Sequence, residues 1–220
     1  MEVAQKYRTE AAVYGCLQGL YTYPMRKSKL TTLLELEVTD TRLQEHLGYL
    51  RSVIEDGVGQ DDFLEQLDVE FTRLFVGPGQ NPAPPYASFY LNEASLMGPE
   101  TSAVRRVYLD WGVAPVDLDR IPDDHISVEL SFMGYLNDQI HTALMENDDR
   151  RAQALFDAQT GFLRDHLLTW VPHFCDEVVS AAQQDFFIGL ARLTQAQLEN
   201  NTEMSADLNA AGDWRKAKRV

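Results

Sequence analysis

The residue types best suited to chemistry fall together at Asp123, Asp124, His125 and Glu129. On a helix, His125 and Glu129 stand at i and i+4 on one face, a spacing that can hold a metal ion or a polarised imidazole. A nucleotide- or metal-dependent hydrolase using Asp124, His125 and Glu129 is one reading of this cluster. The plainer one is an acidic helix start with an intrahelical His/Glu pair, its carboxylates set against the positive end of the helix dipole. No H-E-x-x-H, G-x-S-x-G or G-x-x-x-x-G-K-[ST] motif accompanies the cluster. Pro78 removes an amide donor from Gly77-Pro78-Gly79, so that turn is no ordinary phosphate cradle. His141, His166 and His173 share no ligand spacing. From these motifs no catalytic residue, metal or cofactor is expected.

A second constellation is apolar. Phe71, Leu74 and Phe75 precede a segment in which Pro78, Pro82, Pro84 and Pro85 supply four of the nine prolines, and Tyr86, Ser88, Phe89 and Tyr90 follow it. Prolines in that density make a stiff, extended chain. One reading places Phe71 and Leu74 simply in the core. The other makes the aromatic, proline-rich segment a groove wall that takes an apolar helix from a partner, with nearby carboxylates selecting a basic peptide.

The elements around these residues read as helices. Tyr7, Ala11, Tyr14, Leu17 and Tyr21 mark an amphipathic helix over 3–23, stopped by Tyr23-Pro24. Further apolar stripes predict helices at 29–36, 40–56 and 60–76, then at 99–111, closed by Gly112. Proline at a first turn and two carboxylates open a long helix at Pro122-Asp123-Asp124-His125 that runs to about residue 146. Two more are expected at 151–169 and 172–199, separated at Trp170-Val171-Pro172, and no segment reads as a strand. The chain is thus expected to be all-α: one helical-bundle-like domain over 1–199 with a central proline-rich loop, and a flexible polar tail over 200–220.

Composition narrows the function classes. With 45% hydrophobic and 24% charged residues in 220, the chain has globular usage and enough length for one substantial core. No apolar run approaches the ~20 residues of a membrane span, and the N-terminus lacks an export signal, so a cytoplasmic protein is expected. A net charge of −15 repels phosphate backbones and disfavours nucleic acid as a partner. The two cysteines, Cys16 and Cys175, form no C-x-x-C pair and read as reduced core thiols. Arg215, Lys216, Lys218 and Arg219 make the C-terminus locally basic.

Three blocks in order carry a family likeness: Leu74-Phe75-Val76-Gly77-Pro78, then Pro84-Pro85-Tyr86-Ala87-Ser88-Phe89-Tyr90, then Pro122-Asp123-Asp124-His125 before a long helix. Together they resemble the TorD/DmsD family of redox-enzyme maturation chaperones, over about residues 5–198. The resemblance implies a cytoplasmic, all-helical chaperone, not an enzyme. Such a chaperone binds the twin-arginine signal peptide of a molybdenum reductase catalytic subunit, of dimethyl sulfoxide, trimethylamine N-oxide or related type. It also prevents premature export and assists cofactor insertion into the body of that subunit. By position, Leu74, Phe75, Pro85, Tyr86, Ser88, Asp124 and His125 match family positions linked to peptide recognition, with Phe71 and Tyr90 flanking them. Leu74, Phe75, Pro85 and Tyr86 are assigned to the peptide's apolar stretch; Asp123 and Asp124, with Glu70 or Glu129, are assigned to its arginines. The likeness further implies a guanine nucleotide as a second partner, and a monomer or a domain-swapped dimer. The family motif commonly opens E-P-x-D-H, whereas Ile121 stands at its first position here.

Overall fold

Apolar stripes at helical spacing account for most elements of the structure, a computed structural model that describes residues 2–76, 81–92, 98–114 and 121–210. Ten α-helices occur among the described residues: α1 (Glu2–Leu20), α2 (Lys27–Leu34), α3 (Thr41–Val58), α4 (Phe63–Phe71), α5 (Ala87–Leu91), α6 (Pro99–Asp110), α7 (Ile126–Met145), α8 (Asp149–Phe162), α9 (Leu168–Ala181) and α10 (Asp185–Ala210). One π-turn, Thr72–Val76, continues α4, and another, Leu163–Leu167, joins α8 to α9. Among the described residues there is no strand, only an isolated antiparallel bridge between Tyr86 and His125. The all-α expectation holds.

Local chemistry explains the starts and stops. Asp40 caps α3 by accepting from the backbone N–H groups of Arg42 and Leu43, and Asp148 caps α8 through Arg151 N–H. Pro99 occupies the first turn of α6, and Gly112, at φ +67°, adopts the left-handed turn that ends it. The core runs between α1 and α7, the most extensively packed pair, with α8 on the other side of α7 and α10 lying across α3 and α9. Gly189 permits that last approach, since a Cβ there would stand 2.8 Å from the Leu50 side chain.

Two expectations about the C-terminal third need correction. The break placed at Trp170-Val171-Pro172 lies inside α9, and the rod ends instead at Ala182, whose backbone is extended. Trp170, Val171, Phe174, Cys175 and Val178 are all buried, so core packing carries the helix through the proline. The polar tail drawn from residue 200 is helical to Ala210; its Asn200, Asn201 and Ser205 are polar yet buried. Residues 211–220, with the basic cluster, lie outside the described residues. So do Gly77 and Pro78, which end the first family block, and Gly79 after them. Cys16 and Cys175 are both free and buried.

Candidate functional site

The two later family blocks, far apart in sequence, form one junction. Ile126 N–H donates to the carbonyl of Pro85 at 2.9 Å and Ala87 N–H to that of Asp124 at 3.0 Å, which pairs the segments around Tyr86 and His125. Ala83 N–H donates to the carbonyl of Leu74 at 3.2 Å and ties the proline segment to the first π-turn. Backbone groups that prolines leave without a helix are thereby satisfied.

Asp124 sits at the centre of this junction and is fully buried. Its Oδ2 accepts from Ser88 N–H at the start of α5 (2.9 Å), and its Oδ1 accepts from the Thr101 hydroxyl in the first turn of α6 (2.8 Å). One carboxylate therefore fixes two helix N-termini, where negative charge is favoured. His125 caps a third. Its Nδ1 accepts from Ser127 N–H at 3.0 Å and lies 2.7 Å from the Ser127 hydroxyl, so the neutral ring carries its proton on Nε2. Burial pushes the imidazole down to about 4 against the opposing pull of Asp124. Tyr86 stands half-buried with its ring edge-on to His125 at 5.1 Å.

Asp123 is also buried; Arg105 of α6 binds its Oδ2 through Nε at 2.8 Å and Nη2 at 2.5 Å, and Tyr108 donates to its backbone carbonyl at 3.0 Å. Glu129 is enclosed on α7, with Trp170 Nε1 3.3 Å from its Oε2, and desolvation raises its carboxyl far above the usual range. Glu70 holds Arg73 at 2.7 Å and Gln183 N–H at 2.6 Å. In this conformation none of the carboxylates assigned to peptide arginines is open to solvent. The hydrolase reading fares no better. Asp124 has both oxygens engaged and His125 Nδ1 serves as a cap, while no group able to hold a metal occurs among the described residues.

The apolar assignments also shift. Phe71, Leu74 and Phe75 are core residues, Leu74 with no exposed surface and Phe75 ringed by Tyr21, Phe71, Phe174 and Phe187. Pro84, Pro85 and Ser88 are buried too, so that end of the proline segment packs inside the protein in this conformation. Tyr90 reaches partway to the surface: it stacks on Trp170 and donates to Glu177 at 3.0 Å. Helical spacing marks these side chains as apolar-facing, but it cannot say whether the facing surface is a core or a partner.

What the junction supports is a cleft of about 400 Å³ that the sequence reading missed. Tyr108, Val113, Ile121, Val128, Phe132 and Tyr135 form its apolar walls; Gln18, Thr22, Ser127 and Ser131 line it with uncharged polar groups, and Ala114 completes it. The signal was present on α7. Besides the inward stripe of Leu130, Met133, Leu136 and Ile140, that helix carries Val128, Ser131, Phe132 and Tyr135 along an adjacent face. Among the described residues of its lining no side chain is charged, so the described walls suit an apolar group.

Among the described residues the chain is all-helical, its buried carboxylates brace the interior, and the lining of its open cleft is apolar and uncharged. A family model described as the nitrate reductase delta subunit matches residues 37–176, and the chain belongs to that family, with the TorD and DmsD chaperones among its relatives. It is 34% identical over 145 residues to "Chaperone protein TorD" of Photobacterium profundum, an alignment covering 66% of this chain and 65%, less than two thirds, of that protein. It is 28% identical over 200 residues to "Probable Tat proofreading chaperone DmsD" of Haemophilus influenzae, covering 86% and 89%. A solved structure from Archaeoglobus fulgidus, described as a candidate redox enzyme maturation protein, shares the fold with TM-score 0.53 and 23% identity, over 86% of this chain and 93% of that one. Both of these curated relatives are named as chaperones. Among the described residues, no helix is long and apolar enough to cross a membrane.

Proposed function

We propose that this chain is a cytoplasmic maturation chaperone. It binds the twin-arginine signal peptide of a molybdenum reductase catalytic subunit, withholds that subunit from export and assists its folding and cofactor insertion. The observation that carries the reading is the cleft beside the Asp123–His125 junction, apolar and uncharged among its described residues, in a molecule of net charge −15. A twin-arginine signal joins paired arginines to an apolar stretch, and such a peptide is drawn by an acidic field and held by an apolar recess. The named Tat proofreading relative supports the same reading.

In this reading the apolar stretch lies in the cleft. Asp124 and His125, braced by Pro85 and Ser88, fix the start of α7, whose Ser127 and Val128 line the cleft; Tyr86 and Tyr90 offer half-buried aromatic surface outside that lining, and Phe71, Leu74 and Phe75 stay in the core. The test is calorimetric titration with twin-arginine leader peptides of candidate molybdenum reductases, using the wild type and Ser131→Trp. Ser131 is exposed and lines the cleft, so tryptophan there fills the recess and leaves the core intact. Binding that weakens about tenfold or more in the variant, at an unchanged melting temperature, is the expected result. No binding of any leader to the folded wild type rejects the function, and equal binding to both proteins rejects the cleft.

A further inference from the structure

Asp123 is a buried carboxylate with a half-exposed cation laid over it. Its side chain is 1% exposed, that of Arg105 49%. Both bonds from Arg105, from Nε and from Nη2, converge on Oδ2, while Oδ1 is buried with no hydrogen-bond partner among the described residues. A planar guanidinium satisfies a carboxylate best with two parallel N–H···O bonds, one to each oxygen. Arg105, tethered to α6, uses one oxygen of the two. The pair is therefore a guanidinium site filled by the chain's own guanidinium in a geometry that a freer one can improve.

The site adjoins the cleft. Tyr108, in the cleft wall, donates to the backbone carbonyl of Asp123, and Ile121, two residues upstream, forms another part of that wall. A peptide seated in the cleft with an arginine at its end has the Asp123 carboxylate within the same small region.

We propose that Asp123 is the binding site for an arginine of the client peptide and that Arg105 is its resident stand-in, displaced when the peptide fills the neighbouring cleft. This rests on the signal-peptide reading above and adds the residue that receives the arginine and the one that competes for it. In the free protein Arg105 spares Asp123 the cost of a buried, unpaired charge. On binding, the client guanidinium takes both oxygens and Arg105 turns outward to solvent. The exchange serves arginine and not lysine, because a lysine ammonium lacks the two-pronged geometry that takes both Asp123 oxygens and so gains little from the site whether or not Arg105 covers it.

The experiment is calorimetry of the full chain, wild type against Arg105→Gln and Arg105→Lys, with a twin-arginine leader and with the same peptide carrying two lysines. Glutamine retains a donor for Asp123, and lysine retains the charge, so one variant guards against misfolding and the other against a mere change in net charge. The expected result is a gain of about tenfold for the arginine leader in Arg105→Gln and a smaller gain in Arg105→Lys, with the dilysine peptide gaining less than about twofold in either. Binding by the wild type that is unchanged or weakened in both variants overturns the stand-in while leaving the chaperone reading in force. Equal gains for the two peptides also overturn it, since they report charge removal alone. No leader binding by any of the three folded proteins rejects the chaperone reading and this inference together.

Discussion

The side chains with the strongest chemical character in this sequence, Asp123, Asp124, His125 and Glu129, are all buried, and burial sets their work. His125 shows this most directly, because its Nδ1 must stay unprotonated to accept from Ser127 N–H at the start of α7. Its folded-state value near 4 lies below the ordinary 6.5, so between those values the unfolded chain carries the extra proton. Stability from this residue is therefore complete above about pH 6.5 and is lost as pH falls toward about 4. Buried Glu129 and Glu10, with raised carboxyls, contribute in the opposite sense and are isolated by comparing variants. Relative to His125→Asn, which can still cap the helix but does not titrate, wild-type stability should fall by up to about 3 kcal/mol between about pH 7 and about pH 4.5. Urea unfolding at the two values measures it. A constant difference would show that His125 keeps an ordinary imidazole.

At the scale of elements, α10 is the helix whose sequence is least like its role. Its first half buries Phe186, Phe187, Leu190 and Leu193, but its second half docks through amides. Asn200 and Asn201 donate to the Glu10 carboxylate of α1 at 2.9 and 2.5 Å, Gln197 donates to it as well, and Gln159 of α8 bridges Asn137 and Asn201. A chain ending at Glu199 loses two of the three amides on Glu10 and leaves that buried carboxyl short of donors. The expected cost is about 3 kcal/mol or more, read as a lower urea midpoint, with Glu10→Gln in the shortened chain recovering part of it. An unchanged midpoint would make the second half of α10 dispensable.

The same helix shows why some of the fold was legible in the sequence and some was not. Stripes such as Leu43, Leu47, Leu50 and Ile54 located α3 within two residues of its ends, because apolar periodicity reports a core-facing side. Asn200, Asn201 and Ser205 carry no such signal, since their burial depends on partners distant in the chain. The candidate site divides along the same line. The blocks at Pro84–Tyr90 and Pro122–His125 stood out by composition, but their pairing, the Thr101 and Arg105 contacts and the cleft of Tyr108, Phe132 and Tyr135 arise from tertiary contact. Leu74 and Phe75 were found for their apolar character, and a π-turn buries both, a placement that spacing alone could not distinguish from a groove.

For the whole molecule, the excess of acidic residues and the uncharged cleft divide the task of binding between long and short range. A net charge of −15 acts over a Debye length of roughly 10 Å at about 0.1 M salt and draws in a basic peptide from any approach. The cleft, lined by no charged side chain among the described residues, then holds the apolar stretch by contacts that salt hardly touches. An arginine received at Asp123 would be nearly as insensitive, because a buried pair is screened far less than an exposed one. Salt should therefore act on the approach and not on the hold. Raising it from about 0.05 to about 0.5 M should lower the association rate of a twin-arginine leader about tenfold and change its dissociation rate by less than about twofold, as stopped-flow mixing would resolve. A dissociation rate that rises with salt as steeply as association falls would place the arginines on exposed carboxylates. It would thereby remove Asp123 as their receptor, even with the leader still bound in the cleft.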